Sequence, residues 1–440
     1  MQKQLLKPGR LLVVSYGAVS LLGAVLLMLP WSSTQPGTTS FVQAWFTAMS
    51  ALTSTGLVVV DTAHHWTVFG QVVILLLMQI GGLGLMVFAT IILLFIGFKI
   101  NLGYQALVVQ DRNYFSLTGI RSLVRSIVLL SLIIELAGTV LLACTVPGLW
   151  QEGTVKALFI SLFHAVSAFN GAGFTLYDHS LQEFIHYPWA SITVMVLVLL
   201  GSLGYVVLQE LVTWPLHRRQ KLSLHTRLVL LVTLGVTVFG AAFFFSTEHH
   251  GLLQGLPVPS QVIQSFFQAT TRTAGFTTFP VAGWNEPFQF AMILLMFIGA
   301  SPGSVGGGIK TTTFAVIVLA VWAVARGRKA VIVMEREIPP ENVLKAFTVT
   351  IFAFLMITAG TLVLMLVEHL SLLPALFEVV SALTTAGLTM IDTGALSPWT
   401  QLLLALFMFV GRIGVLTLIV FLAKEDYRRA RYMKEDILIG

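Results

Sequence analysis

Long apolar runs alternate with short ones along the chain. Nearly uncharged hydrophobic stretches occupy about 11–30, 70–98, 123–146, 189–212, 228–246, 287–323, 344–367 and 399–423. A helix rises 1.5 Å per residue, so about 20 apolar residues cross a hydrocarbon layer of roughly 30 Å. Each run meets that length except the fifth, which is slightly short, and the pattern predicts eight membrane spans. Between them lie shorter apolar segments at 40–54, 154–171, 259–273 and 372–385. These are too short to cross and predict re-entrant half-helices. The expected fold class is an all-α polytopic membrane protein.

Comparison of the chain with itself gives the same organisation. The segments after the odd-numbered runs align as Ser50-Ala-Leu-Thr-Ser-Thr-Gly56, Ser167-Ala-Phe-Asn-Gly-Ala-Gly173, Ala269-Thr-Thr-Arg-Thr-Ala-Gly275 and Ser381-Ala-Leu-Thr-Thr-Ala-Gly387. A second set follows in the next runs: Gly81-Gly-Leu-Gly84, Gly201-Ser-Leu-Gly204, Gly299-Ala-Ser-Pro302 and Gly411-Arg-Ile-Gly414. Two motifs on one period predict four tandem units, each a span, a half-helix, a turn ending in Gly and a second span. Their expected limits are 1–98, 99–212, 213–325 (with a broken second span at 299–313) and 326–423, followed by a charged tail at 424–440. For Gly84 or Gly204 alone, close packing of helices explains the residue adequately. The series at Gly56 lies in turns and needs another reason.

Composition narrows the class. The 440 residues are 56% hydrophobic and 10% charged, against about a quarter charged in soluble domains, and the mean hydropathy is +0.90. The net charge of +6 does not point to nucleic acid, because the basic residues are clustered. They fall around Lys3–Arg10, Lys99–Arg125, Arg218–Arg227, Arg326–Lys345 and Lys424–Lys434. With eight crossings all five clusters lie on one side, which the positive-inside rule makes cytoplasmic together with both termini. The half-helices then enter from outside. The run at 11–30 lacks a small-residue cleavage site and is expected to stay as a span. The single Cys144 cannot form an internal disulfide, and no Cys/His cluster has zinc spacing. No metal-ligand set or nucleophile–base pair in the spans suggests an enzyme.

Backbone that leaves the helix inside a bilayer must be buried in protein or face water. Four such turns imply a central aqueous path. Gly permits φ values that turn successive carbonyls inward, and small neighbours leave the axis open. The candidate cation-coordinating residues, acting through backbone carbonyls, are Thr55, Gly56, Ala172, Gly173, Ala274, Gly275, Ala386 and Gly387.

These residues carry a resemblance. Thr270-Thr-Arg-Thr-Ala-Gly-Phe276, Gly299-Ala-Ser-Pro-Gly-Ser-Val-Gly-Gly-Gly-Ile-Lys-Thr311 and Gly411-Arg-Ile-Gly414 are similar to the membrane subunit of Ktr-type potassium transporters, within the superfamily that includes Trk and plant HKT proteins. The likeness extends over essentially the whole chain, and eight spans fit Ktr better than Trk. It implies a four-fold pseudosymmetric pore for potassium in a bacterial cell membrane, a homodimer, and a cytoplasmic nucleotide-binding regulatory ring (KtrA-like) that carries the nucleotide. It also implies potassium as the transported ion, with sodium as a candidate activator. In that superfamily Gly in all four turns accompanies potassium preference and Ser in the first accompanies sodium, so Gly56 argues for potassium.

Within 299–313, five Gly and one Pro make an unbroken helix improbable. Its likeness to a phosphate-binding P-loop is superficial, since Gly308-Ile309-Lys310 has an extra residue and no strand precedes it. The resemblance implies an intramembrane gate, with Gly303, Ser304, Gly306, Gly307, Gly308, Lys310 and Arg412 as its candidate residues. The break is expected to be mobile and poorly packed. Lys310 is expected to reach cytoplasmic water. Arg412, where the other units have Gly82, Ser202 and Ala300, is an intramembrane cation suited to the free carbonyls of the broken span. Arg272, beside the third turn, is expected to point away from the path and brace the fold, with Glu378 as partner. Asp61, Asp178 and Asp392, each five residues after a turn Gly, either gather cations at an outer mouth or end turns. Glu135 and His164 suggest satisfied structural groups.

Two further classes compete with a channel-like subunit. A cation-coupled secondary transporter also has broken helices but usually two repeated halves, and a sodium-permeable member of the same superfamily differs in the ion passed.

Overall fold

In a computed structural model, residues 8–84, 87, 120–146, 148–214 and 221–414 are described. The basic tail, the end of the first unit and the start of the second lie outside them. The described chain is mostly helical: α1 (Pro8–Leu27), α2 (Phe41–Thr53), α3 (Val68–Leu83), α4 (Ile120–Thr145), α5 (Thr154–Phe169), α6 (Pro188–Leu203), α7 (Tyr205–Thr213), α8 (Leu224–Glu248), α9 (Val258–Thr271), α10 (Glu286–Phe297), α11 (Thr311–Ala325), α12 (Pro340–Glu368), α13 (Leu372–Thr384) and α14 (Pro398–Ile413). A two-stranded ribbon, β1 (Ile332–Val333) and β2 (Arg336–Glu337), joins α11 to α12.

Among the described residues, Val124–Thr145, Leu224–Glu248 and Pro340–Glu368 are long and apolar enough to cross a membrane. The α6–α7 pair, bent by 103°, makes a fourth if it is counted as one span. Eight full-length spans are therefore not what the helices display. The predicted runs at 70–98 and 399–423 pass beyond the described residues, and the run at 287–323 is divided into α10 and α11. The fifth run, short by sequence, is the 25-residue α8. Exposed apolar side chains on α12, such as Phe354, Leu355, Leu362 and Leu366, suit hydrocarbon contact.

The short helices match the predicted half-helices: α2, α5, α9 and α13 run 13, 16, 14 and 13 residues. Helix α2 begins with a capping box in which the Ser40 hydroxyl accepts the Gln43 N–H and the Gln43 side chain accepts the Ser40 N–H. Each of these helices packs on a later helix of the preceding unit: α5 on α3, α9 on α6, α13 on α10, and α2 on α14. The last contact closes the circle.

The second glycine series has two jobs, divided by position. A Cβ on Gly81, Gly201 or Gly411 would lie 2.0, 1.8 or 1.9 Å from the carbonyl oxygen of Leu52, Phe169 or Leu383. Those glycines let the helix touch the end of the half-helix. Gly84, Gly204 and Gly414 instead have φ of 86, 90 and 91° and stop their helices. Close packing applies at Gly204 as well, where a Cβ would stand 2.5 Å from the Pro302 carbonyl oxygen.

Candidate functional site

The four turns meet at the centre. Gly56, Gly173, Gly275 and Gly387 have φ of 91, 70, 71 and 83°, a region open to Gly at little cost. A Cβ on Gly56 would stand 2.4 Å from the Ala172 carbonyl oxygen, and one on Gly173 2.6 Å from that of Ala274. One on Gly275 would stand 3.2 Å from that of Ala386, and one on Gly387 1.9 Å from that of Thr55. The predicted residues are thus brought together in cyclic order, each Gly against the small residue of the next turn. An open cavity of about 430 Å³ is lined by all four glycines and by Val58, Thr175, Thr277 and Thr389 just beyond them.

Side chains of the half-helices hold three of the chains that leave the turns. His164 Nε2 accepts the Leu176 N–H (3.2 Å) and is 3.0 Å from Thr175 Oγ1, while its Nδ1 donates to the Ile160 carbonyl (2.8 Å). At the same offset in the fourth unit, Glu378 Oε1 accepts from Thr389 Oγ1 (2.6 Å) and the Met390 N–H (2.9 Å). In the third unit Gln268 Nε2 donates to Thr278 Oγ1 and Thr278 Oγ1 to Gln264 Oε1, both at 2.8 Å. Sequence reading missed this brace because three residue types fill it. The offset from the turn Gly, nine residues before it for His164 and Glu378, was the available signal.

The brace corrects the pairing expected for Arg272. Glu378 is committed to its own chain, and Arg272, 4% exposed, donates to the carbonyls of Leu295 (3.0 Å) and Ile298. It holds the end of α10. Glu135 joins another buried set: Asn170 Nδ2 donates to Glu135 Oε1 (3.0 Å) and Gln79 Oε1 (3.2 Å), and Gln79 Nε2 donates to Glu135 Oε2 (3.1 Å).

Residues 299–310 form a folded loop, with Gly299 N–H on the Ile309 carbonyl (2.9 Å) and Ala300 N–H on that of Gly307 (3.2 Å). Gly303, Ser304, Val305, Gly306 and Gly307 are buried. It is well packed, contrary to the expected loose break, because its own backbone and its neighbours supply partners. On one side Ser301 N–H donates to the Ser202 carbonyl (3.0 Å) and Val305 N–H to that of Gly201 (3.3 Å). On the other, Gly307 N–H donates to Thr385 Oγ1 (2.8 Å). The loop is thus held between the end of α6 and the fourth turn. Arg412 donates to the carbonyls of Val305 and Gly81, joining loop and first unit. Lys310 does not simply run to water: its Nζ lies 2.5 Å from the Gly306 carbonyl oxygen.

Beyond the turns the aspartates divide. Asp392 Oδ1 accepts the Gly394 N–H (2.9 Å), a turn-ending role. Asp61 accepts the Ala63 N–H (2.8 Å) and also pairs with His64 Nδ1 (2.9 Å), which is 3.5 Å from Asp178. The hydrogen bond and charge of Asp61, with that of Asp178, raise the His64 pKa above its ordinary 6.5.

Four glycine turns in cyclic contact, with a buried loop bonded to their neighbours, make up the candidate site. The chain matches the TrkH family of cation transport proteins over residues 8–429 and belongs to that family. It is 39% identical to the Ktr system potassium uptake protein B of Bacillus subtilis, across 98% of this chain and 97% of that protein. The Vibrio alginolyticus protein of the same description is 36% identical, across 98% and 94%. Potassium/sodium uptake protein NtpJ of Enterococcus hirae is 31% identical, across 99% and 98%. The crystal structure of the potassium transporter TrkH from Vibrio parahaemolyticus superimposes with a TM-score of 0.74 over 96% of this chain and 86% of that one, at 20% identity, a likeness of fold.

Proposed function

We propose that this chain is the pore-forming membrane subunit of a potassium uptake system, with eight crossings in four pseudosymmetric units and both termini in the cytoplasm. The observation that carries the reading is the cyclic contact of Gly56, Gly173, Gly275 and Gly387 with the Ala172, Ala274, Ala386 and Thr55 carbonyl groups. Carbonyl rings of this kind replace the water around a monovalent cation. A cation enters from the outer cavity, sheds water at the ring, and meets the loop at Gly303, Ser304, Gly306, Gly307 and Gly308. The loop blocks the path when seated, and Arg412 and Lys310 hold it there through carbonyl groups. A cytoplasmic nucleotide-binding ring, KtrA-like, unseats it, and the working unit is a homodimer. The Ktr potassium uptake proteins among its relatives support potassium as the ion.

A second reading, passage of sodium as well, draws on the relative described as a potassium/sodium uptake protein. Four turns closed around one axis favour either reading over a coupled carrier. The test is flux into liposomes holding purified protein, with potassium or sodium alone and with both. Potassium entry without sodium, at a rate well above sodium entry, is expected; equal entry of both ions selects the second reading.

A further inference from the structure

Resting on that reading, we propose that Thr385 is a positioning residue that joins the loop to the fourth turn, so that seating of the loop and ion selectivity at the ring form one equilibrium. In the order of elements along a unit the ring lies outward of the loop, and nothing in that order requires contact. The tertiary structure brings them together. The Gly307 N–H donates to Thr385 Oγ1 at 2.8 Å, and a Cβ on Gly307 would stand 2.6 Å from that oxygen. Beside it, a Cβ on Gly308 would stand 3.3 Å from Thr384 Cβ.

Thr385 has φ of 51°, an uncommon conformation for a β-branched residue that persists where surroundings enforce it. Ser54 occupies the same place in the first turn, with φ of 55°, and its buried hydroxyl has no hydrogen-bond partner among the described residues. The fourth turn therefore depends on the loop in a way that the first does not. Gly387, two residues on, abuts the Thr55 carbonyl, so displacement of Thr385 reaches the ring.

Two more attachments lead the same way. Val305 Cγ2 would be 3.6 Å from a Cβ on Gly171 in the second turn. Arg272, three residues before Gly275, holds the carbonyls of Leu295 and Ile298 where the loop begins. The loop is thus fastened near three of the four turns, and coupling between them is reciprocal: if unseating changes the ring, an ion in the ring changes seating.

The test compares purified protein in liposomes carrying Thr385→Val, Thr385→Ser, Gly307→Ala or Gly56→Ser, and the pair Thr385→Val with Arg412→Ala. Valine keeps the shape and removes the acceptor; alanine at 307 pushes on the same contact from the loop. Each should raise maximal flux and lower the potassium-to-sodium ratio by about tenfold, the scale of one buried donor left unmet. Serine should retain wild-type values, and Arg412→Ala should lower the ratio no further once Thr385 is Val. A raised maximal rate with an unchanged ratio in both Thr385→Val and Gly307→Ala overturns the coupling and leaves Thr385 a latch. If Gly56→Ser also leaves the ratio unchanged, the ring is not the selective element and the functional reading falls with it.

Discussion

The Thr55 carbonyl oxygen and the Cα of Gly387 come from the first and last units of the chain, yet they abut so closely that a Cβ on residue 387 would stand 1.9 Å from that oxygen. That contact closes the ring. It also makes the ring intolerant of any side chain at four positions, each with positive φ.

Gly56→Ser is expected to widen the first quarter of the ring. Its Cβ would stand 2.4 Å from the Ala172 carbonyl oxygen at a φ of 91°, so backbone must move. The potassium-to-sodium flux ratio in liposomes should fall several-fold; an unchanged ratio in folded protein removes Gly56 from the selective ring.

Arg412→Ala should raise maximal flux. The carbonyls of Val305 and Gly81 lose a charged donor, and the seated loop loses a tie worth about 1.5–3 kcal/mol, on the order of tenfold or more in its equilibrium. Deleting several residues between Ser304 and Gly308 should do the same. Lower maximal rates in both, measured on correctly folded protein, identify the loop as structural packing and not a gate.

Gly201→Ala should destabilise the fold. The new methyl would sit 1.8 Å from the Phe169 carbonyl oxygen, backbone against backbone, at a cost of about 3 kcal/mol or more. Gly17→Ala and Gly235→Ala, in helices with nothing within 4 Å of the new Cβ, should be neutral or stabilise by about 0.5–1 kcal/mol. Thermal unfolding in detergent compares them, and equal midpoints for all three would mean that the close approach is absent.

Potassium uptake at low ionic strength should weaken on acidification. Imidazolium at His64 offsets the charge of Asp61 and Asp178. Its pKa is raised, chiefly by the Asp61 hydrogen bond, so the change begins above pH 6.5 as pH falls. Asp61 has its pKa lowered, its hydrogen bonds from His64 and Ala63 outweighing desolvation, and stays anionic there. The apparent KM should rise, less so at high salt because screening removes surface potential. His64→Ala should abolish this rise. A pH response of KM that survives in His64→Ala assigns it to another group, and replacing Asp61, Asp178 and Asp392 by Asn should raise KM at low salt only.

What could be read from the chain was local. A turn that needs positive φ needs Gly, and a segment that enters a membrane without crossing is short and apolar; both requirements act on adjacent residues, so Gly56, Gly173, Gly275 and Gly387 and their half-helices were visible in sequence. Arg412 was visible for the same reason, since an isolated cation in an apolar run is conspicuous. The partners were not. Carbonyl acceptors have no residue identity, so nothing in the sequence distinguishes Leu295 and Ile298 from Glu378 as the partner of Arg272. The brace at His164, Gln268 and Glu378 varies in chemistry because the N–H and hydroxyl groups of a chain leaving a turn can bond several kinds of side chain. Whether the loop at 299–310 was slack or seated depended on groups at Gly201 and Thr385, 184 residues apart along the chain and brought to the loop by packing of the helices. Sequence determined where the backbone must leave the helix; tertiary structure decided what met it there, because the hydrogen bonds that satisfy such backbone come from whichever distant groups the packing brings within reach.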